Sequence, residues 1–328
     1  MRPPLKLLPL LAALALLVAA PLLASGGPLA QSDQRLRVVT STVVLADFIQ
    51  QVGGDRVDVL TIVPSGADPH TYQPTPGDVQ RILGANVAIW NGLGFDEQAE
   101  HLVDAQNIRN LTVVTLAEGI EAIGELHEGH EGETLEEHAA HVGADAGEHA
   151  DEGEHGHAAG NPHLWLDPTL AMRYVRTIRD TLAAADPANA SVYEANAARY
   201  LAQLAELDAW ALQQVAEIPV ERRKLVTFHD AFPYLARHFG LELVGVVLRS
   251  PGREPSAQEI AALVTELQTA GIPTVYAEPQ FNARVVELAA RDAGVQVKRI
   301  YSDTFDDQVG SYLDLMRFNV AALVEGLR

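Results

Sequence analysis

The sequence predicts an α/β protein of two lobes, each with a mainly parallel four-stranded sheet and flanking helices, joined by one long backbone helix. Two observations carry this. From Leu36 short apolar runs alternate with amphipathic stretches, the pattern of strands interleaved with helices, and the alternation resumes after residue 219. Between the two blocks, Tyr193, Ala197, Tyr200, Leu201, Leu204, Leu207, Ala211, Leu212 and Val215 keep a three-four spacing. A helix of about thirty residues is roughly 45 Å long, more than a lobe is wide, so it bridges two of them. Strand-helix alternation on both sides of such a helix implies parallel sheets. The expected division is 1–30 leader, 31–186 first lobe, 187–218 bridge and 219–328 second lobe.

The leader is read from Arg2 and Lys6, the Leu/Ala/Val run Leu7 to Ala24, and the small residues Ser25, Gly26 and Gly27. Pro9, Pro21 and those small residues favour a cleaved secretory signal over a membrane anchor. The expectation is an exported, periplasmic protein, soluble after cleavage and acting as a monomer. Cys is absent, which excludes thiolate metal sites and a lipid-modified cysteine at the new N-terminus. A formal net charge of -21 argues against nucleic acid and anionic lipid and for a cationic ligand.

In the first block the expected strands are Leu36 to Thr40, Val57 to Val63, Val87 to Trp90 and Leu111 to Leu116. Helices are expected over Val43 to Val52, from Pro76 behind the cap Thr75, and over Glu97 to Ala105. Asp167 caps a helix opening at Pro168 and running to about Ala184. In the second block the strands are Lys224 to Phe228, Glu242 to Val247, Thr274 to Ala277 and Gln296 to Ile300. Its closing helix is expected over Val309 to Leu327.

Between Asn110 and Arg173 there is no Lys or Arg. His127, His130, His138, His141, His149, His155 and His157 lie there among Gly, Ala and Glu with no apolar period, so residues 125–160 read as a disordered loop for weak metal capture.

In open parallel sheets, ligands bind outside the carboxyl ends of the strands. His70 follows the second strand, His163 the fourth strand and its insertion, and His229 the strand ending at Phe228. Asp303 follows the last strand, and Glu278 the one ending at Ala277. Three imidazoles and a carboxylate complete a tetrahedral shell for a borderline-soft divalent ion, with zinc the best fit and manganese or iron the alternative. A filled shell leaves no position for water, which suits a binder better than a catalyst. His101 and His238 fall inside helical stretches and are assigned to the surface.

The segments Asp68-Pro69-His70-Thr71-Tyr72-Gln73-Pro74, Asn161-Pro162-His163-Leu164-Trp165-Leu166-Asp167-Pro168, His229-Asp230-Ala231-Phe232-Pro233-Tyr234 and Glu278-Pro279-Gln280-Phe281 resemble the motifs of the metal-binding solute receptors of ABC importers. The similarity is greatest to the zinc-specific, ZnuA-like branch and covers essentially the whole chain after the leader. It implies a periplasmic receptor that captures Zn2+, as transported cargo, between two lobes and hands it to a membrane permease with its ATPase. The ligands it implies are His70, His163, His229 and Asp303, with Glu278 as an alternative or supporting acid. Manganese receptors of the family usually carry a glutamate where this chain has His229. The rival readings are a manganese or iron receptor of the same family, a zinc-dependent envelope hydrolase using Glu278 as base, and a passive zinc buffer. The hydrolase would be encouraged by a His-Glu-x-x-His pattern, which the sequence lacks. Because imidazole ligates only when neutral, affinity is expected to fall as pH drops through about 6.5 toward 5.

Overall fold

The computed structural model describes residues 35–106, 108, 110–124, 160–248, 256–269 and 271–328. The leader and the seven insertion histidines, His127 to His157, lie outside the described residues. Among those described, no helix is long and apolar enough to cross a membrane.

The first lobe is built on β1 (Leu36–Thr40), β2 (Val57–Thr61), β3 (Val87–Trp90) and β4 (Thr112–Thr115), all parallel, in the order β2-β1-β3-β4. Helices α1 (Val43–Gly53), α2 (Pro76–Ile82) and α3 (Glu97–Gln106) make its crossovers. The second lobe repeats the order as β6-β5-β7-β8, also parallel. Its strands are β5 (Lys224–His229), β6 (Glu242–Leu248), β7 (Thr274–Ala277) and β8 (Gln296–Arg299). Between the two sets of strands in the chain come α4 (Pro168–Ala185) and α5 (Ala190–Val215). The second lobe adds α6 (Pro233–Phe239), α7 (Ala257–Thr269), α8 (Ala283–Ala293) and α9 (Tyr312–Leu327).

Helix α5 spans 26 residues and follows a 3-10 turn, Pro187–Asn189, in place of one continuous helix from Pro187. Its buried stripe is Tyr193, Ala197, Tyr200, Leu204, Leu207, Ala211 and Val215. Leu201 is only half-buried and Leu212 is exposed, so the stripe is narrower than the apolar pattern suggested. That stripe packs on α1, α4 and α9. There Phe48 of α1 meets Tyr174, Tyr200 and Tyr312 at ring separations of 6.4, 6.4 and 4.7 Å, so one aromatic cluster joins helices from both ends of the chain. The largest of three buried apolar clusters among the described residues runs from Val38 of β1 to Leu327 of α9.

Helix ends follow side-chain chemistry. Asp167 accepts from Thr169 N at 2.8 Å and starts α4 before Pro168. Helix α9 begins at Tyr312 rather than Val309, because the Ser311 hydroxyl accepts from Asp314 N at 3.2 Å. Strand β5 runs one residue past Phe228, so His229 is itself the last ladder residue.

Candidate metal centre

All four expected side chains stand at the carboxyl ends of strands. His70 lies in the loop from β2 to α2, where an Asx turn braces it. His70 N donates to Asp68 Oδ1 at 3.0 Å, and the Thr71 hydroxyl to Asp68 Oδ2 at 2.8 Å. The far end of the loop is tied to Asp78, which receives Thr75 N at 2.6 Å and the Tyr72 hydroxyl at 3.1 Å. His163 precedes the buried 3-10 turn Leu164–Leu166. His229 ends β5, and Asp303 sits between β8 and α9.

One ligand atom from each of His70, His163, His229 and Asp303 lies within 4.8 Å of every other. His163 Nε2 is 3.2 Å from His70 Nε2 and 3.3 Å from His229 Nε2. Asp303 Oδ2 is 3.7 Å from both His70 Nε2 and His229 Nε2, and Oδ1 is 3.5 Å from His163 Nε2. His70 alone keeps a solvent edge: its side chain is 15% exposed, against 2%, 3% and 0% for His163, His229 and Asp303. Three ring nitrogens and a carboxylate facing one point could hold a cation.

Glu278 stands behind this group rather than in it. Its Oε1 and Oε2 each lie 2.8 Å from His229 Nδ1, and Oε1 accepts the Ser302 hydroxyl at 2.5 Å. That contact turns the Nε2 of His229 inward. Apolar rings wall the centre: Phe95 lies edge-on to His70 at 5.1 Å and Phe281 to His229 at 4.9 Å.

Burial depresses His70 to about 3, with the charge of His229 adding to the effect, and it drives His163 well below its ordinary value for the same reasons. Burial would also lower His229, but the Glu278 carboxylate against Nδ1, backed by Asp303 and Asp230, raises it to about 9. Burial raises Asp303 to about 7, Glu278 and Asp68 adding to this and His229 opposing it. The protons that a cation must displace therefore sit on His229 and Asp303 and titrate near 7 to 9, above the 6.5 to 5 range expected for ordinary imidazoles.

Three cross-lobe hydrogen bonds had no signal in the sequence. Trp165 Nε1 donates to Ser302 O at 3.0 Å, tying the His163 loop to the residue before Asp303. Ser65 donates to Phe305 O, and Gly66 N to the Thr304 hydroxyl, both at 2.6 Å, joining the loop that leads to His70 with the residues after Asp303. His238 departs from its surface assignment. It is half-buried, with Nε2 2.6 Å from Asp208 Oδ1 on α5 and Nδ1 3.4 Å from Asp167 Oδ1, the cap of α4. His101 is exposed on α3.

The insertion leaves and returns at one point. Asn161 N donates to Ile123 O at 2.7 Å, and the Tyr234 hydroxyl accepts from Ile123 N at 2.9 Å while donating to Asn161 O at 2.7 Å. Gly160 has φ +80°, and a Cβ there would lie 2.8 Å from Ile123 O, so only glycine fits this approach.

Paired parallel sheets around convergent donors define a metal-binding solute receptor of the ABC-importer class. The chain belongs to the ZnuA family, whose model, "Zinc-uptake complex component A periplasmic", matches residues 38–326. It is 32% identical over 304 residues to the manganese-binding lipoprotein MntA of Halalkalibacterium halodurans, covering 90% of each chain. It is 27% identical over 315 residues to the iron ABC transporter substrate-binding lipoprotein MtsA of Streptococcus pyogenes serotype M1, covering 92% of each. Its fold matches the Mn-bound periplasmic metal binding protein from Candidatus Liberibacter asiaticus with a TM-score of 0.72 and 25% identity, over 90% of this chain and all of the other. The family is one of substrate-binding, non-catalytic components.

Proposed function

We propose that this protein is the extracytoplasmic receptor of a metal importer. It captures a divalent first-row ion on His70, His163, His229 and Asp303 and passes it to a permease driven by an ATPase. The observation that supports this is the convergence of those four ligand atoms, drawn from both lobes, within 4.8 Å of one another. The insertion histidines, His127 to His157, raise the local metal concentration near that centre.

As to the ion, the relatives named for manganese and iron weigh toward those metals, the alternative that the sequence left open, and we place that reading first. Zinc stands second on one specific observation. A regular tetrahedron with metal bonds of roughly 2.0 to 2.2 Å has edges of roughly 3.3 to 3.6 Å. Four of the donor separations, 3.2, 3.3, 3.5 and 3.7 Å, lie near that range, with both Asp303 oxygens contributing and the whole set held within 4.8 Å, and three imidazoles suit zinc better than manganese.

Affinity cannot choose between the readings, since zinc outcompetes manganese and iron(II) at almost any nitrogen-oxygen site. Uptake can. Cells lacking the receptor are expected to lose accumulation of labelled manganese or iron while zinc uptake persists. Loss of zinc uptake alone would move zinc to first place, and unchanged uptake of all three would overturn the receptor assignment.

A further inference from the structure

We propose that Asn161 is a positioning residue that sets the tautomer of His163 and binds that imidazole to the lobe carrying His229; the proposal rests on the receptor reading above. Asn161 is 1% exposed and belongs to the first lobe's ligand loop. Its Oδ1 lies 3.1 Å from His163 N and 3.0 Å from His163 Nδ1, while its Nδ2 lies 2.6 Å from Asp230 O in the second lobe.

The orientation of this amide follows from its partners. A backbone N–H only donates, so the atom facing His163 N is the amide oxygen. A backbone carbonyl only accepts, so the atom facing Asp230 O is the amide nitrogen. With the oxygen so placed, His163 Nδ1 faces an acceptor and must carry the ring proton. The lone pair then belongs to Nε2, the nitrogen that faces His70, His229 and Asp303. Free imidazole offers no such guarantee, because either nitrogen can hold its proton. The same amide ties the His163 loop to the carbonyl of Asp230, the residue directly after His229. One side chain thus fixes both which nitrogen of His163 is offered and how far the two ligand loops stand apart. The Tyr234 clasp on the Asn161 carbonyl holds the backbone and leaves the carboxamide untouched, so it serves as the control.

The test uses the full chain, free of metal, with 15N-labelled histidine at about pH 8, where a neutral imidazole reports its tautomer, and Zn2+ alone as probe. His163, assigned by the resonance lost in His163→Gln, is expected to carry its proton on Nδ1. Asn161→Ala is expected to mix the tautomers and weaken Zn2+ binding by about 10- to 100-fold. Asn161→Asp keeps an acceptor at Nδ1 but sets an oxygen against Asp230 O. It should keep the tautomer and still lose about tenfold in affinity. Tyr234→Phe should leave Zn2+ binding within about threefold of the parent.

A proton on Nε2 in the parent protein, or an Asn161→Ala variant that binds Zn2+ within about threefold, would overturn the proposal. Should Asn161→Ala not fold, the parent tautomer and Asn161→Asp decide it. A parent protein that binds no Zn2+ would instead count against the receptor reading, with the tautomer still testing this one.

Discussion

The two halves of the centre answer burial in opposite ways. His70 and His163, from the first lobe, are pushed far down by burial and stand ready as neutral donors. His229 and Asp303, from the second lobe, are raised to about 9 and about 7 and hold protons near neutrality. The difference lies in what stands behind each ring. His163 leans on the neutral amide of Asn161, and Asp68 beside His70 is taken up by the His70 N–H and the Thr71 hydroxyl. His229 leans on the Glu278 carboxylate, with Asp230 and Asp303 near it. Burial alone disarms an imidazole; burial against a carboxylate loads it with a proton that an arriving cation must expel.

The largest test of this contrast is loss of a ring from each half. His163→Ala and His229→Ala should each weaken Zn2+ binding by more than the roughly 100-fold seen for supporting residues. Only His229→Ala should remove most of the proton release, read by calorimetry in buffers of different ionisation enthalpy. Equal release in the two variants would erase the distinction.

The next effect is on pH. In the metal-free protein His229 titrates at about 9, above its ordinary 6.5, so the free state holds a proton that the bound state lacks. Raising pH removes that competitor, and affinity should climb about tenfold per unit from about 7 to about 9, then level off. Below about 7 the slope should steepen, because Asp303 must also lose a proton. An affinity that is flat from 7 to 9 in a chelator competition would contradict this.

A smaller change is expected from Glu278→Gln, which keeps an acceptor at His229 Nδ1 but removes its charge. Affinity should drop about tenfold and proton release should shrink. A loss as large as that of His229→Ala would place Glu278 on the ion itself. The smallest effect on binding belongs to His238→Ala. It should lower the thermal midpoint, at a cost of about 1–3 kcal/mol for the partner left on Asp208, with Zn2+ affinity nearly unchanged.

Strand-helix alternation and motif position were enough to single out His70, His163, His229 and Asp303 as side chains that meet, because strand ends are where parallel sheets gather side chains. The order β2-β1-β3-β4 was not readable, since pairing depends on contacts far apart in sequence. Nor was the place of Glu278. At a strand end it looks like a ligand, and only the 2.8 Å approach to His229 Nδ1 separates support from coordination. His238 deceived for a related reason. Helical spacing says that a residue lies on a face, but not that Asp208 and Asp167 wait opposite that face. The pH window shifted because ionisation depends on neighbours brought by folding.

The stitched base at Ile123 and Asn161 has a genetic consequence. Two chain ends that already meet across 2.7 Å need no particular length of polymer between them, so residues 125–159 behave as a cassette. Evolution can lengthen, trim or rewrite such a cassette without disturbing the frame that holds it, provided Gly160 survives at the seam.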